Sequence, residues 1–258
     1  MPFGYAAYRQ WYTQTWQITK IPKLNLKLII VMKVLGIETS GNIGGIALCD
    51  NQNCISTKTF SGIVQHEREL VPAIKNTLEE VHWQINDIEV IAVNVGPGSY
   101  TGLRIGVACA KTLGYALNRP VVDVPIFDII TENYSSGSTL SLCPIIDARR
   151  NHVYACIYQF EGNRKKRLTE FLVIEPEKLL ALLPRPVTIF GDGILPYKEI
   201  FSQEDIIIEA EDYAIPKPEH VALLGEKLYM SGYQCTLEKL LPLYLQRQEV
   251  VEKKSHQI

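Results

Sequence analysis

One order of apolar runs and turns occurs twice along this chain, and the repetition restricts the fold more than any single motif does. Apolar alternation indicates strands, and apolar spacing of three to four residues indicates helices. The first copy has three strands, a helix, a buried strand and a second helix, predicted at 33–40, 44–50, 54–60, 66–83, 88–99 and 102–117. A further strand at 120–125 and a short helix at 126–134 complete it.

The same order returns after a Ser-Gly-Ser cluster at 135–138. The second copy begins with two strands around an Asp-Ala-Arg-Arg-Asn turn (142–160), a basic hairpin tip (161–167) and a third strand (168–174). A helix (176–183), a strand with a glycine turn (186–193) and a last helix (218–232) follow. The pattern predicts an α/β chain of two lobes, 32–137 and 138–258, each a mixed sheet flanked by helices. Residues 1–31 are predicted to be an N-terminal extension that is disordered or not native.

The charge balance argues against a protein that binds nucleic acid by itself. The 258 residues carry 26 basic and 28 acidic side chains, and all the charged residues before Met32 are basic: Arg9, Lys20, Lys23 and Lys27. From Met32 onward, 22 basic residues face 28 acidic ones. Nucleic-acid binding depends mainly on neutralising phosphates, so any contact with tRNA is expected to be indirect.

The cysteines and the hydropathy pattern indicate a cytoplasmic protein. None of the six cysteines belongs to a CxxC pair, and several lie in apolar runs, so we expect small buried thiols in a reducing compartment. No uncharged apolar stretch reaches the roughly 20 residues that a transmembrane helix needs. We therefore expect no membrane association.

Two glycine-rich turns follow predicted strands in the first copy. "GIETSGNIGGIAL" (36–48) places an acid and two hydroxyl residues at a tight strand–turn–strand, and "VGPGSYTGLRIG" (95–106) leads from a strand into a helix. Glycine allows a backbone to approach a phosphate closely, so either turn is compatible with a nucleotide. Taken alone, the first turn is equally compatible with an ordinary hairpin.

Together the two turns resemble the TsaB (YeaZ) family, which serves the bacterial formation of threonylcarbamoyladenosine next to the tRNA anticodon. The resemblance extends to "IDARRNHVYACIY" (146–158) and "LPLYLQRQEV" (241–250), and so spans Met32 to about Val251. It implies the two-lobed actin-like ATPase fold, also called ASKHA or ribonuclease H-like. It also implies a non-catalytic, activating subunit with two partners, the catalytic subunit TsaD and the ATPase subunit TsaE.

Two segments distinguish this chain from the related catalytic subunit. That subunit carries two acids after its first hairpin turn, where this chain has Asn42 and Ile43. It also carries a metal-binding HxEGH, whose two histidines correspond here to Ile126 and Ile130. Two histidines four residues apart share one helix face and can hold one ion, which isoleucine cannot do. We therefore expect neither a catalytic residue nor a metal site.

A stripe of small residues on the second predicted helix suggests a docking surface. Each interior glycine costs about 1 kcal/mol relative to alanine, so close packing should compensate. Packing on the chain's own sheet or first helix would explain the stripe equally well. The resemblance favours a subunit interface, for a homodimer or for the catalytic subunit, formed by Leu70, Ile74, Leu78, Gly102, Leu103, Gly106, Val107, Ala110, Leu113 and Gly114.

Nucleotide binding stays open as a weaker hypothesis. The actin-like fold would place ATP or ADP at Thr39, Ser40 and Gly41 and at the loop of Gly191 and Gly193, although no required cofactor is expected. The alternative functions are an actin-like ATPase or phosphotransferase and a glycoprotease-like metallopeptidase. The missing acids and metal histidines argue against both.

The sequence predicts structural roles for three further residues. We expect His66 to be an exposed residue at a helix start. Asp147 and Arg149 follow a strand, and a turn salt bridge explains them better than a ligand does.

Overall fold

The first half of the chain forms a five-stranded sheet. The computed structural model describes residues 32–134, 141–162 and 164–245, without the side chains of residues 63–65 and 211. The strands of the first sheet are Lys33–Glu38 (β1), Ile43–Asp50 (β2), Asn53–Ser61 (β3), Val90–Gly96 (β4) and Val121–Pro125 (β5). Their order is β3-β2-β1-β4-β5. The hairpin pairs β1–β2 and β2–β3 are antiparallel, and the β1–β4 and β4–β5 pairs are parallel.

The second sheet repeats this topology. Its strands are Ser141–Arg149 (β6), His152–Ala155 (β7), Tyr158–Glu161 (β8), Arg164–Arg167 (β9), Leu172–Ile174 (β10), Val187–Phe190 (β11) and Ile206–Ile208 (β12). The order β10-β7-β6-β11-β12 has the same antiparallel and parallel pairings as the first sheet. An inserted hairpin, β8–β9, pairs with β6. The duplicated actin-like plan expected from the sequence is therefore confirmed.

Helices cover both faces of the first sheet. The α-helices among the described residues are Ile63–Glu80 (α1), Tyr100–Leu117 (α2), Ile126–Thr131 (α3), Pro176–Leu182 (α4), Lys198–Phe201 (α5) and Pro218–Met230 (α6). Alternation along β1 sends Leu35 and Ile37 to the core under α1 and α2, and Val34 to the core under α6. Although α6 follows the second sheet in the chain, it packs on the first.

The boundary between the predicted lobes, at 137/138, lies outside the described residues and stays a prediction, as does the assignment of 1–31. Among the residues that are described, no helix combines the length and the apolar character needed to cross a bilayer.

Three local features differ from the sequence expectations. The basic segment of residues 164–167 is a strand rather than a hairpin tip, and the short strand β12 was not predicted. Helix α1 begins three residues earlier than expected and continues through Pro72. Proline leaves the carbonyl of Arg68 without its helical partner, but both residues are exposed, so water can hydrate that carbonyl.

A buried ion pair joins α3 to the inserted hairpin. The Arg167 guanidinium lies 2.7 and 2.9 Å from the two carboxylate oxygens of Asp128, which also accepts the Tyr158 hydroxyl at 2.8 Å. The Asp128 and Arg167 side chains are only 8% and 11% exposed. Because such a charge is costly to bury alone, the contact ties the hairpin to the helix that follows the first sheet.

Candidate functional site

A buried polar network fixes the turn after β1. The Glu38 carboxylate accepts hydrogen bonds from the backbone N–H and the hydroxyl of Ser40, both at 2.6 Å, and from the Asn94 amide at 2.5 Å. Asn94 in turn accepts the Gly96 N–H at 2.8 Å. Burial raises the pKa of Glu38 to about 7, although the donors from Ser40 and Asn94 oppose that shift.

The network joins the two glycine turns that the sequence singled out. The Ser99 N–H donates to the Ser40 carbonyl at 2.7 Å, and the Thr39 hydroxyl donates to the Gly102 carbonyl at 2.7 Å. Helix α2 starts at this junction, with the Ser99 hydroxyl accepting the Gly102 N–H. The turns therefore support each other inside the chain.

Of the nucleotide contacts predicted on this hairpin, one lies at the surface. Thr39 and Ser40 are buried, and their hydroxyls are engaged within the chain, so the structure removes these side chains as nucleotide ligands. Gly41 is partly exposed, and a Cβ there would meet no atom closer than 3.8 Å. The tip from Gly41 to Ile43 is the part of the hairpin that a ligand can reach.

The predicted loop at Gly191 and Gly193 packs its glycines closely against β6. A Cβ on Gly191 would lie 2.0 Å from the Ile145 carbonyl oxygen, and one on Gly193 would lie 2.6 Å from the Ile146 carbonyl carbon. Both glycines are buried against β6, and Gly191 has a positive φ of 128°. These glycines let the turn pack on β6, and their assignment as nucleotide contacts stays a prediction.

Beside that loop, the expected turn salt bridge is present. Arg149 Nη1 lies 3.0 Å from Asp147 Oδ2, and the Asp147 carboxylate also accepts the Arg149 N–H at 2.8 Å. The Asp147 N–H donates to Asp192 at 3.1 Å. The prediction of a structural role is confirmed.

The glycine stripe of α2 faces the chain's own sheet. A Cβ on Gly102 would lie 2.0 Å from the Thr39 carbonyl oxygen, and one on Gly106 would lie 2.3 Å from the Thr39 hydroxyl. A Cβ on Gly114 would lie 2.5 Å from Val121. The alternative explanation of the stripe, intramolecular packing, is the one that the structure favours.

The predicted interface residues are therefore mostly inside the protein. Nine of the ten are buried: Leu70, Ile74, Leu78, Gly102, Leu103, Gly106, Val107, Ala110 and Gly114. Leu113 is partly buried and packs against the same core. Their apolar character serves the core under α1 and α2. Ile74, Leu78 and Leu113 also reach the groove between the two helices, but the other seven lie away from it and cannot form a docking surface. This corrects the residue assignment, while the role of the two helices stays a prediction.

The structure also overturns the expectation for His66. Its side chain is fully buried, in an edge-to-face contact with Phe60 at a ring-centroid distance of 5.3 Å. Burial lowers the pKa of His66, and the nearby backbone of Asn42 and Thr39 opposes that shift. Helix α1 begins three residues before His66, so this residue lies inside the helix rather than at its start.

What α1 and α2 expose is a groove between them. It encloses about 600 Å³ and is lined by residues of both helices and of the segment after α1, among them Val71, Ile74, Lys75, Leu78, Cys109 and Leu113. Val71 is 64% exposed at its rim. A row of small exposed residues, Ala108, Thr112 and Ala116, follows the solvent side of α2. The sequence indicates that these residues are small, but only the packing of α2 shows that they lie on its solvent-exposed face.

The segment that replaces the metal-binding motif is apolar core. Ile126 and Ile130 lie in α3 and pack with Phe127 and Phe190. Within the described ranges, no cluster of three or more His, Cys, Asp or Glu side chains has the geometry to hold a metal ion.

Comparison with known proteins agrees with the motifs. A family model described as TsaD, tRNA N6-adenosine threonylcarbamoyltransferase, matches residues 52–253. A Bacillus subtilis tRNA threonylcarbamoyladenosine biosynthesis protein TsaB is 29% identical over 86% of this chain and 97% of its own length. A tRNA N6-adenosine threonylcarbamoyltransferase of Thermosipho melanesiensis is 33% identical, but over only 36% of this chain and 33% of its own length.

A solved structure supports the same grouping. YeaZ from Pseudomonas aeruginosa superposes with a TM-score of 0.71 at 25% identity, covering 83% of this chain and 100% of that one. The described strands repeat one actin-like topology in two sheets, and the likeness to the TsaB and YeaZ proteins covers nearly their whole length. The chain belongs to the TsaD-type family, and within it to the TsaB (YeaZ) group.

Proposed function

We propose that this chain is a non-catalytic subunit required for threonylcarbamoyl transfer to tRNA, and that it acts by binding a TsaD-type catalytic subunit through the groove between α1 and α2. The observation that carries the proposal is the exposed groove between the two helices. The glycine and hydroxyl motifs of the chain, by contrast, make contacts within the chain itself. The sequence similarity covers nearly the full length of a protein named for threonylcarbamoyladenosine biosynthesis, and this supports a role in the same pathway.

The groove has the properties of a helix-docking site. Ile74, Leu78 and Leu113 supply an apolar floor, and Lys75 and Glu79, 3.9 Å apart, form a charged rim. Apolar anchors from a partner helix fit such a groove at spacings of three and four residues. The small residues Ala108 and Thr112 would let a partner backbone approach closely. The same groove would bring two copies of this chain together when the partner is absent.

The chemistry of the transfer is assigned to the partner. Apolar Ile126 and Ile130 occupy the positions where the resemblance places metal-binding imidazoles, and isoleucine offers no ligand atom. Thr39 and Ser40 cannot leave the internal network without breaking buried hydrogen bonds. If ATP or ADP binds, the open tip from Gly41 to Ile43 is where this chain would contribute, at the boundary with a second subunit.

The interface is tested with two exposed positions and a matched control. Val71→Glu places a charge at the rim of the groove, and Ala108→Glu places one on the exposed row of α2, next in the chain to the lining residue Cys109. Leu182→Glu places a charge on α4 of the second sheet, where Leu182 is 54% exposed. We expect the groove variants to weaken binding to the TsaD-type subunit by about tenfold or more. The control should bind as the wild type does.

A reconstituted tRNA modification assay then separates the functions. Wild type and the Leu182→Glu control should support threonylcarbamoyladenosine formation by the catalytic subunit, and the groove variants should not. Wild-type binding and activity in both groove variants would refute the interface. Calorimetry with ATP and ADP on this chain alone tests the enzymatic alternative, because turnover of tightly bound nucleotide would contradict a non-catalytic role.

A further inference from the structure

Two cysteines face each other across the β2–β3 hairpin. Cys49 is paired with Cys54 in the antiparallel register, one position beyond the Asp50–Asn53 pair that closes the turn. The turn residues Asn51 and Gln52 have φ values of 50° and 63°, as a tight two-residue hairpin requires. A register irregularity lies between Leu48 and Cys49, so the ladder is locally distorted next to this pair.

This register places the two sulfur atoms within reach of a covalent bond. Directly opposite residues of an antiparallel pair have Cα atoms about 4.5–5.5 Å apart, with both side chains on the same face. A disulfide needs a Cα separation of about 4.4–6.8 Å. The Cα separation typical of this register is therefore compatible with a disulfide, without any change of fold.

The environments of the two thiols differ. Cys54 is exposed, and its Sγ lies 3.2 Å from the Thr57 hydroxyl, whereas Cys49 is fully buried. The neighbouring Cys49 thiol and the Thr57 hydroxyl lower the pKa of Cys54 to about 6. The interaction between the two thiols raises the pKa of Cys49. Glu219, the acidic residue facing Cys54 from α6, opposes ionisation of Cys54 but does not cancel it.

We propose that Cys54 and Cys49 form a reversible dithiol switch, in which Cys54 reacts with hydrogen peroxide and Cys49 resolves the product to an intramolecular disulfide. An accessible sulfur beside a second thiol is the arrangement found in redox-sensing cysteines. The proposal concerns a modification of the hairpin and is independent of the function proposed above.

The reaction balances without any further reagent. The Cys54 thiolate attacks one peroxide oxygen, so that an S–O bond forms, the O–O bond breaks and the departing hydroxide takes up a proton as water. Cys49 sulfur then attacks the Cys54 sulfenic acid, the S–S bond forms, the S–O bond breaks, and the hydroxide leaves with the Cys49 proton as a second water. Two electrons pass from the two sulfurs to the peroxide. A dithiol reductant reverses the change.

The other four cysteines provide internal controls. Cys143 and Cys156 are both buried. Burial raises the pKa of Cys109 to about 11 and that of Cys235 to about 12, and both are partly covered. Because the thiolate is the reactive form, peroxide should reach these four slowly.

The test uses the full-length folded chain treated with hydrogen peroxide, alkylated, and digested with trypsin. Residues 34–58 lie between Lys33 and Lys58 and contain Cys49 and Cys54 and no other cysteine. We expect this peptide to resist alkylation and to weigh two hydrogen atoms less than its reduced form. That change should appear at least about tenfold faster than loss of the Cys109 thiol, and dithiothreitol should reverse it.

Two variants separate the roles of the sulfurs. In Cys54→Ser, Cys49 should remain reduced, and in Cys49→Ser, dimedone should label Cys54 as a sulfenic acid without an internal disulfide. If Cys49→Ser does not fold, dimedone added to the wild-type chain should lower the disulfide yield instead. The proposal is overturned if the 34–58 peptide keeps both thiols after Cys109 has reacted. It is equally overturned if Cys54 links two chains rather than bonding to Cys49.

Discussion

Gly106→Ala tests whether the glycine stripe of α2 belongs to the core. A Cβ added at Gly106 would lie 2.3 Å from the Thr39 hydroxyl oxygen, closer than any real contact of that kind. The hydroxyl would have to move, and its 2.7 Å hydrogen bond to the Gly102 carbonyl would be lost in a buried site. The next atoms, Thr39 Cβ and Ile37 Cγ2, lie at ordinary distances of 3.5 and 3.6 Å.

The net effect follows from three opposing free energies. Forcing an extra carbon into a packed core costs about 1–3 kcal/mol. Loss of the Thr39 hydrogen bond adds about 1 kcal/mol. The better helix propensity of alanine stabilises the variant by about 1 kcal/mol. We therefore expect Gly106→Ala to lower the free energy of unfolding by about 2 kcal/mol.

A double-mutant cycle in urea isolates the contact. Thr39→Ala removes the oxygen that a Cβ at position 106 would strike, so Gly106→Ala should be neutral or stabilising by up to about 1 kcal/mol in that background. The coupling between the two substitutions should therefore reach about 2 kcal/mol or more. Gly41→Ala is the matched control, since its Cβ would meet no atom within 3.8 Å, and it should change stability by about 0.5 kcal/mol at most.

The opposite result would mean that the glycine stripe of α2 is not packed against the chain's own core. If Gly106→Ala raises stability by about 1 kcal/mol in both backgrounds, only helix propensity is acting and the close contact with Thr39 does not exist. Loss of binding to the TsaD-type subunit by such a stable variant would then identify the glycines as docking residues, contrary to the packing described above.

Two further predictions concern buried charges. The pKa of Glu38 is raised from 4.5 to about 7, so the folded chain holds a proton that the unfolded chain has released, and stability falls as pH rises through that window. In urea unfolding, the wild-type chain should therefore lose about 3 kcal/mol relative to Glu38→Gln between pH of about 4.5 and 7, and a pH-independent difference would contradict this. Arg167→Met should cost about 3–5 kcal/mol by leaving the Asp128 carboxylate without its guanidinium. Adding Asp128→Asn should recover most of that loss, and no recovery would mean that the ion pair is not the cause.

Local patterns were sufficient for the strands and most helices. The turn at Asn51 and Gln52 defines β2 and β3, and alternating apolar residues define β1 because each of its faces meets a different core. The twofold repetition of these patterns predicted two sheets of one plan, which the structure confirms. The three-residue strand β12 was missed because a run so short is ambiguous until β11 supplies its hydrogen-bonding partner.

The sequence by itself determined the elements of this protein, their duplicated order and the family motifs, because turn chemistry and apolar period are local properties. Only the tertiary structure decided which surface each motif meets. The glycines of α2 are small enough for a partner helix or for the chain's own Thr39, and the sequence cannot choose between them. The same holds for α6, which packs back on the first sheet, and for His66, which is buried beside Phe60. Burial depends on contacts between residues far apart in the chain, so the free groove between α1 and α2 becomes visible only once those contacts are made.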